Sequence, residues 1–290
     1  MFPACFDYHR AISVKEALTL LDQYGNDVKL LSGGHSLLPI LKLRLGQPRH
    51  LVDVARIPEL GQITQQGGKI SIGAAVRHVQ VATSALLRAN LGLLAECAGN
   101  IGDVQVRNRG TIGGSLAHAD PAADYPAAVL ALEGEVRLES SAGMRMVKAE
   151  DFFVELMTTA AQPNELISAV SFVPLPIGAR YAYLKYRQPA SGFAMVGVAV
   201  CLTLDKSGKC QNVHVGITGL GSKAFRAKAV ENALHGRTPD AKTLAEAAAH
   251  AADGIDALAD IHASAEFRAE LARVYTRRAL EIAAEADGSK

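Results

Sequence analysis

Asp27-Val28-Lys29-Leu30-Leu31-Ser32-Gly33-Gly34-His35-Ser36 is the stretch from which the rest of the chain can be read. Asp27 to Leu31 reads as a short strand running straight into a glycine pair, and Ser36 to Arg44 reads as a helix interrupted at Pro39. Glycines tolerate positive φ and carry no Cβ, so successive backbone N–H groups can converge on an anion. Ser32 and Ser36 add hydroxyls, and a helix starting after the turn would bring its positive end close. A phosphate would fit such a loop. An ordinary tight turn between strand and helix is the plainer alternative.

Upstream, Ser13 to Tyr24 places Val14, Ala17, Leu18, Leu20 and Leu21 at helical spacing, with Ser13 as N-cap and Gly25 as stop. Downstream, Leu51-Val52-Asp53-Val54 returns as a buried strand, so the order is helix, strand, glycine turn, helix, strand. From Ile57 to Val173 the texture changes to short strands and turns. Gln65-Gln66-Gly67-Gly68 and Ser140-Ser141-Ala142-Gly143 each join two strand-like runs and predict hairpins. Val76 to Asn90 and Leu91 to Ala98 are expected to be helical, followed by about 25 weakly periodic residues up to Asp124. Pro174 and Pro176 end the strand Glu165 to Val173. Three strand-like runs follow, Tyr181 to Tyr186, Phe193 to Leu204 and Cys210 to Leu220, and an Ala-rich amphipathic tail from Ala224 reads as helices.

Inside the weakly periodic segment, Thr111-Ile112-Gly113-Gly114-Ser115 repeats the chemistry of the first loop, a glycine pair flanked by hydroxyl residues. Two such loops predict a pyrophosphate held from both sides. Asp124 can accept from ribose or ribityl hydroxyls, or can simply cap the turn before Pro126. Among the basic groups Lys185 is the best placed to point inward, because its alternate neighbours on the strand are aromatic, although an exposed strand lysine is the plainer reading of the pattern. Gly216-Ile217-Thr218-Gly219-Leu220-Gly221 has the wrong spacing for the dinucleotide fingerprint and reads as a strand-end turn. His118 and Asp120 make half a metal site without a partner pair, and His35 can touch a ligand or merely pack in its loop.

Composition removes other classes. Basic and acidic residues nearly cancel, 30 against 29, which argues against nucleic acid or an anionic membrane as the main partner. Cys5, Cys97, Cys201 and Cys210 are scattered and form neither a disulfide framework nor an iron–sulfur cradle. The N-terminus does not read as a signal peptide and no apolar run is long enough for a transmembrane span, so a reducing cytoplasmic location is expected.

Taken together, the two glycine loops, about 75 residues apart, resemble the FAD-binding medium subunit of molybdenum hydroxylases of the carbon monoxide dehydrogenase and xanthine dehydrogenase type. The likeness takes in Phe6-Asp7-Tyr8-His9-Arg10, Leu51-Val52-Asp53, and Asp120-Pro121 with Asp124. It implies an α+β chain: a two-part PCMH-type FAD-binding region, then a C-terminal domain of a three-stranded antiparallel sheet with helices. The implied boundaries are 1–55 for the small α/β N-terminal subdomain, 56–175 for the α+β middle subdomain and 176–290 for the C-terminal domain.

It also implies that electrons come from [2Fe-2S] clusters of a small iron–sulfur subunit, after substrate reacts at the molybdenum cofactor of a large subunit. They pass through FAD to an external acceptor, within a dimer of heterotrimers. By position, Lys29, Leu30, Leu31, Ser32, Gly33, Gly34, His35 and Ser36 with Thr111, Ile112, Gly113, Gly114 and Ser115 should hold the pyrophosphate and adjoining groups. Ile101 and Ile167 should pack on the cofactor, Asp124 should bond to its hydroxyls, and Lys185 should lie at the isoalloxazine edge. Two departures stand out: Ser115 where the family often has Asn, and Phe193 where some relatives have Tyr near the flavin. The cysteine-bearing insertion of members with a further cluster is absent from the sequence. A free-standing FAD-dependent reductase or oxidase on the same scaffold, or a non-catalytic nucleotide-binding module, would use the same loops.

Overall fold

A computed structural model of the chain describes residues 2–286. Its N-terminal part is a three-stranded parallel sheet in the order β1 (Asp7–Arg10), β3 (His50–Asp53), β2 (Val28–Leu31). α1 (Val14–Tyr24) covers it with Ala17, Leu18 and Leu21. Ser13 Oγ accepts from the Glu16 amide at 3.2 Å, and Gly25 ends the helix at φ 53°. α2 (Leu37–Lys42) is short, with Pro39 tolerated in its first turn, where no helical N–H partner is needed.

The middle part is an antiparallel five-stranded sheet, ordered β4 (Ile63–Gln66), β5 (Lys69–Gly73), β10 (Leu166–Phe172), β6 (Glu135–Ser140), β7 (Gly143–Lys148). Both expected hairpins form. Gly67 and Gly68 turn the first at φ 59° and 75°, conformations that glycine adopts without strain. Two expectations need correction. The helix expected over Val76 to Asn90 is two helices, α3 (His78–Thr83) and α4 (Ala85–Asn90), because Ser84 takes an extended backbone and caps the second through Leu87 N. The segment expected to be irregular holds α6 (Val104–Arg109) and α7 (Ile112–His118), capped by Asp103 and Thr111. Helices of two turns are too short for a 3.6-residue period to show in sequence.

α8 (Tyr125–Ala131) is wholly buried and α5 (Gly92–Asn100) largely so, and their apolar residues join one cluster with Tyr183 and Ala199 of the next sheet. α9 (Ala149–Phe152) and the small pair β8 (Phe153–Glu155) and β9 (Thr158–Thr159) close the far end. The C-terminal sheet contains the three expected strands, β11 (Arg180–Arg187), β12 (Ala194–Leu204) and β13 (Cys210–Thr218), with the two-residue β14 (Phe225–Arg226) at its edge. α10 (Lys228–Leu234), α11 (Ala241–Ala248) and α12 (Ala265–Glu285) pack on that sheet and enclose a second apolar cluster. The Ala-rich tail is therefore helical in three pieces. The fingerprint-like Gly216 to Gly221 run is the end of β13, with Gly219 at φ 82°.

Candidate functional site

A cavity of about 580 Å³ opens beside the carboxyl end of β2, walled by α7, the start of α8 and the β11–β12 connection. That volume suits a small molecule or cofactor, and the carboxyl end of parallel strands is where open α/β sheets place ligands. The first glycine loop forms one wall. Gly34 sits at φ 76°, and the amides of Ser32, Gly33, Gly34, His35, Ser36 and Leu37 find no acceptor in the protein among the described residues. Buried or lining N–H groups are normally paired, so this run of free donors is built for an acceptor from outside the chain.

The second loop meets the first directly. A Cβ on Gly33 would strike the Arg109 carbonyl and would lie 2.7 Å from Gly110 Cα, so only glycine lets the two backbones approach. Ser32 Oγ and Thr111 Oγ1 share a hydrogen bond of 3.1 Å across the junction. The expectation that the second loop repeats the chemistry of the first is corrected here. Its amides are committed: Gly113 N donates to Ala74 O at 2.9 Å, Gly114 N to Thr111 Oγ1 at 3.2 Å, and Ser115 N to Thr111 O at 3.0 Å. The cause is that these residues open α7 and close back on the strand end at Ala74, which uses their donors internally. Gly113 and Gly114 serve close packing and an open wall. Gly113 leaves no room for a side chain against Ala74, whereas a Cβ on Gly114 would meet only Thr111 Oγ1, at 2.8 Å.

Deeper in the cavity lies a buried charge cluster. Lys185 Nζ donates to Asp124 Oδ1 at 2.7 Å, and both side chains are only 3% exposed. The Tyr183 hydroxyl donates to the same Oδ1 at 2.5 Å. Lys185 Nζ also donates to Gly192 O at 2.7 Å, tying the β11–β12 connection to the site. Burial pushes the Asp124 carboxyl above its usual range, opposed by the charge and hydrogen bond of Lys185 and by the Tyr183 hydrogen bond. Asp124 lines the cavity, but Lys185 stands behind it. The expected flavin-edge lysine thus reaches the cavity through a carboxylate, because an ammonium this deeply buried needs an anionic partner.

Of the other expected residues, Lys29, Leu30, Ser32, Gly33, Gly34, His35, Ser36, Ile101, Thr111, Gly113, Gly114, Ser115 and Ile167 all line this cavity. Leu31 and Ile112 do not; Ile112 is fully buried in the core beneath it. Several lining residues went unread. His78 is one: burial, with His35 and Arg107 nearby, pushes its imidazole down to about 4, so it is neutral at pH 7. No motif marks it. Ser191, Gly192 and the segment Gly46-Gln47-Pro48 also contribute, and they come from loops that carry no periodic signal. Tyr183 was legible in principle, since residues two apart on β11 share a face with Lys185. His118 and Asp120 line the cavity 4.0 Å apart, and among the described residues no three potential metal ligands cluster.

The chain as a whole resembles known proteins. Residues 4–176 match the model of the FAD binding domain in molybdopterin dehydrogenase, and residues 181–283 match that of the CO dehydrogenase flavoprotein C-terminal domain. The chain is 40% identical to the 6-hydroxypseudooxynicotine dehydrogenase complex subunit alpha of Paenarthrobacter nicotinovorans, over 97% of this chain and 95% of that one. It is 39% identical to the carbon monoxide dehydrogenase medium chain of Hydrogenophaga pseudoflava, over 98% of each. A solved structure of carbon monoxide dehydrogenase from Hydrogenophaga pseudoflava, lacking the Mo-pyranopterin moiety of the molybdenum cofactor, superposes with a TM-score of 0.94 and 39% identity, covering 98% of each chain.

Proposed function

We propose a function for this chain from its family: it belongs to the FAD-binding flavoproteins of the molybdopterin dehydrogenases, and it is the subunit that carries electrons through FAD. The observation that carries the reading is the run of free amides at Ser32 to Leu37, beside a cavity that Gly114 of the adjoining loop also lines without a side chain. Those donors fit a pyrophosphate, and Ile101 and Ile167 offer apolar surface to the rings. The family match and the cavity chemistry therefore agree on the same cofactor.

When bound here, FAD would supply the redox chemistry that links one-electron carriers to a two-electron partner. The chain's own residues orient and seal it. The amides of the first loop take the pyrophosphate, Asp124 accepts from the cofactor's hydroxyl or N–H groups, and Ser191 to Phe193 closes one side.

The wider role follows from the relatives. The chain is the medium subunit of an oxidoreductase complex, with a small [2Fe-2S] subunit that supplies electrons and a large subunit that holds the molybdenum cofactor. Assembly as a dimer of heterotrimers and a cytoplasmic location complete the reading. Among the described residues no helix is long and apolar enough to cross a membrane. The three parts of the chain, 1–55, 56–175 and 176–290, divide the work: the first two enclose FAD and the third closes the site with its β11–β12 connection.

The protein purified from its native source should carry an oxidised-flavin spectrum and bring down one iron–sulfur chain and one molybdenum-cofactor chain. FAD in an isolated chain with turnover of its own would replace this reading with a free-standing reductase or oxidase. A colourless protein that stays colourless with added FAD would leave only a nucleotide-binding module.

A further inference from the structure

Asp124 Oδ1 receives two donors, Tyr183 Oη and Lys185 Nζ, while Oδ2 has no partner in the protein among the described residues and is not sealed from the cavity. A carboxylate held by one oxygen presents the other in a fixed direction. Lys185 supplies the compensating charge, and its second bond, to Gly192 O, leaves it shared between two acceptors. The Tyr183 hydroxyl has Asp124 as its acceptor and is itself fully buried, so it has no alternative role in solvent.

We infer that Tyr183 is a positioning residue for the cofactor: its hydroxyl locks the Asp124 carboxylate so that Oδ2 accepts a hydroxyl or N–H of bound FAD. The inference rests on the reading that this cavity holds FAD. Tyr183 does not touch the cofactor. It acts through Asp124, by fixing the rotamer and by favouring the ionised carboxylate, the form able to accept through both oxygens. The ionisable groups facing Asp124 are Lys185, Tyr183 and Arg187 from β11, Cys97 from α5, and the adjoining Tyr125 on α8, whose ring is edge-on to His78. Of these, Tyr183 and Lys185 hydrogen-bond to the carboxylate.

Removing the hydroxyl takes away an interaction that lowers the Asp124 pKa, so the neutral acid should persist to higher pH. Tyr183→Phe should therefore fold, bind FAD about tenfold more weakly near neutral pH, and lose FAD on acidification with a midpoint about one unit higher than the native chain. The measurement is the FAD dissociation constant by flavin fluorescence from pH 5 to 9, on the full chain in its complex, with circular dichroism as the folding control. A merely structural tyrosine would leave the pH midpoint in place.

Asp124→Asn separates the two layers of the argument. If that variant binds FAD as tightly as the native chain, Asp124 is not a cofactor acceptor and both statements fall. If it weakens FAD while Tyr183→Phe leaves affinity and midpoint untouched, only the role of Tyr183 falls. In the Asp124→Asn background Tyr183→Phe should add nothing to the pH dependence, and independent additive effects would overturn the coupling. Because this double variant leaves no carboxylate to strand, it also decides the matter should the single tyrosine variant fail to fold.

Discussion

Gly114→Val should give a folded protein that has lost FAD. Gly114 is exposed on the cavity wall, near the start of α7, and an added Cβ would meet only Thr111 Oγ1 at 2.8 Å. The contact is with one side-chain oxygen and not with backbone, so a small shift of Thr111 relieves it at some cost to its bonds with Gly114 N and Ser32 Oγ, and valine in place of glycine does not penalise a helix. The isopropyl group then projects into the space assigned to the cofactor. Overpacking of a fitted site costs about 1–3 kcal/mol, and a rigid ligand against a rigid wall belongs at the upper end, about a hundredfold in affinity.

Gly33→Ala and Gly113→Ala are the informative contrasts, because their new methyl groups strike backbone at Arg109 and at Ala74. They should damage folding as well as FAD retention, whereas Gly114→Val should leave circular dichroism and thermal unfolding of the FAD-free chain close to native. Full flavin occupancy in Gly114→Val, read from the absorbance ratio after gel filtration, would remove α7 from the cofactor wall.

Lys185→Met should be the most destabilising single change at the site. It strands a carboxylate that is 3% exposed, and breaking a buried pair costs about 3–5 kcal/mol. The sign of its pH dependence follows from Asp124. Burial already holds that carboxyl above the ordinary range, and removing the ammonium raises it further. A carboxyl with a raised folded-state pKa contributes fully below its unfolded value of about 4 and loses that contribution as pH climbs through the folded value. The variant's deficit should thus be large at pH 8 and shrink towards pH 5. Denaturant titrations of FAD-free native and variant chains at both values test this. A deficit that is constant or grows on acidification would mean that Lys185 does not compensate Asp124.

Much of the fold was legible because its signals are local. Ser13 and Gly25 bracket α1 by cap chemistry, Gly67-Gly68 dictates a tight hairpin, and Pro174 with Pro176 ends a strand. What escaped was set by distant contacts. Ser84 splits one periodic stretch into two helices because its extended backbone lets both ends pack. α6 and α7 are each too short to show a period.

The site followed the same division. The first loop alone reads as readily as a tight turn between strand and helix, and only its pairing with the second loop pointed to a bound phosphate. The second loop carries the same letters, yet spends its amides on Ala74 and Thr111, which only the folded chain could show. Strand alternation marked Lys185 as the basic group best placed to face inward without excluding an exposed lysine, and its partner lies 61 residues away in sequence, where no spacing rule points. His78 and Tyr183 matter through what burial does to them, and burial is a property of the tertiary structure.

The wall formed by Ser191, Gly192 and Phe193 bears on when the protein can be loaded during its synthesis. The cavity draws on chain near residues 32, 111 and 124, and one of its walls comes from the β11–β12 connection. A ribosome emitting the chain from its N-terminus has therefore exposed two thirds of it before a complete receptacle exists. A nascent chain halted before Phe193 lacks that wall and should retain the nucleotide less well than the full chain.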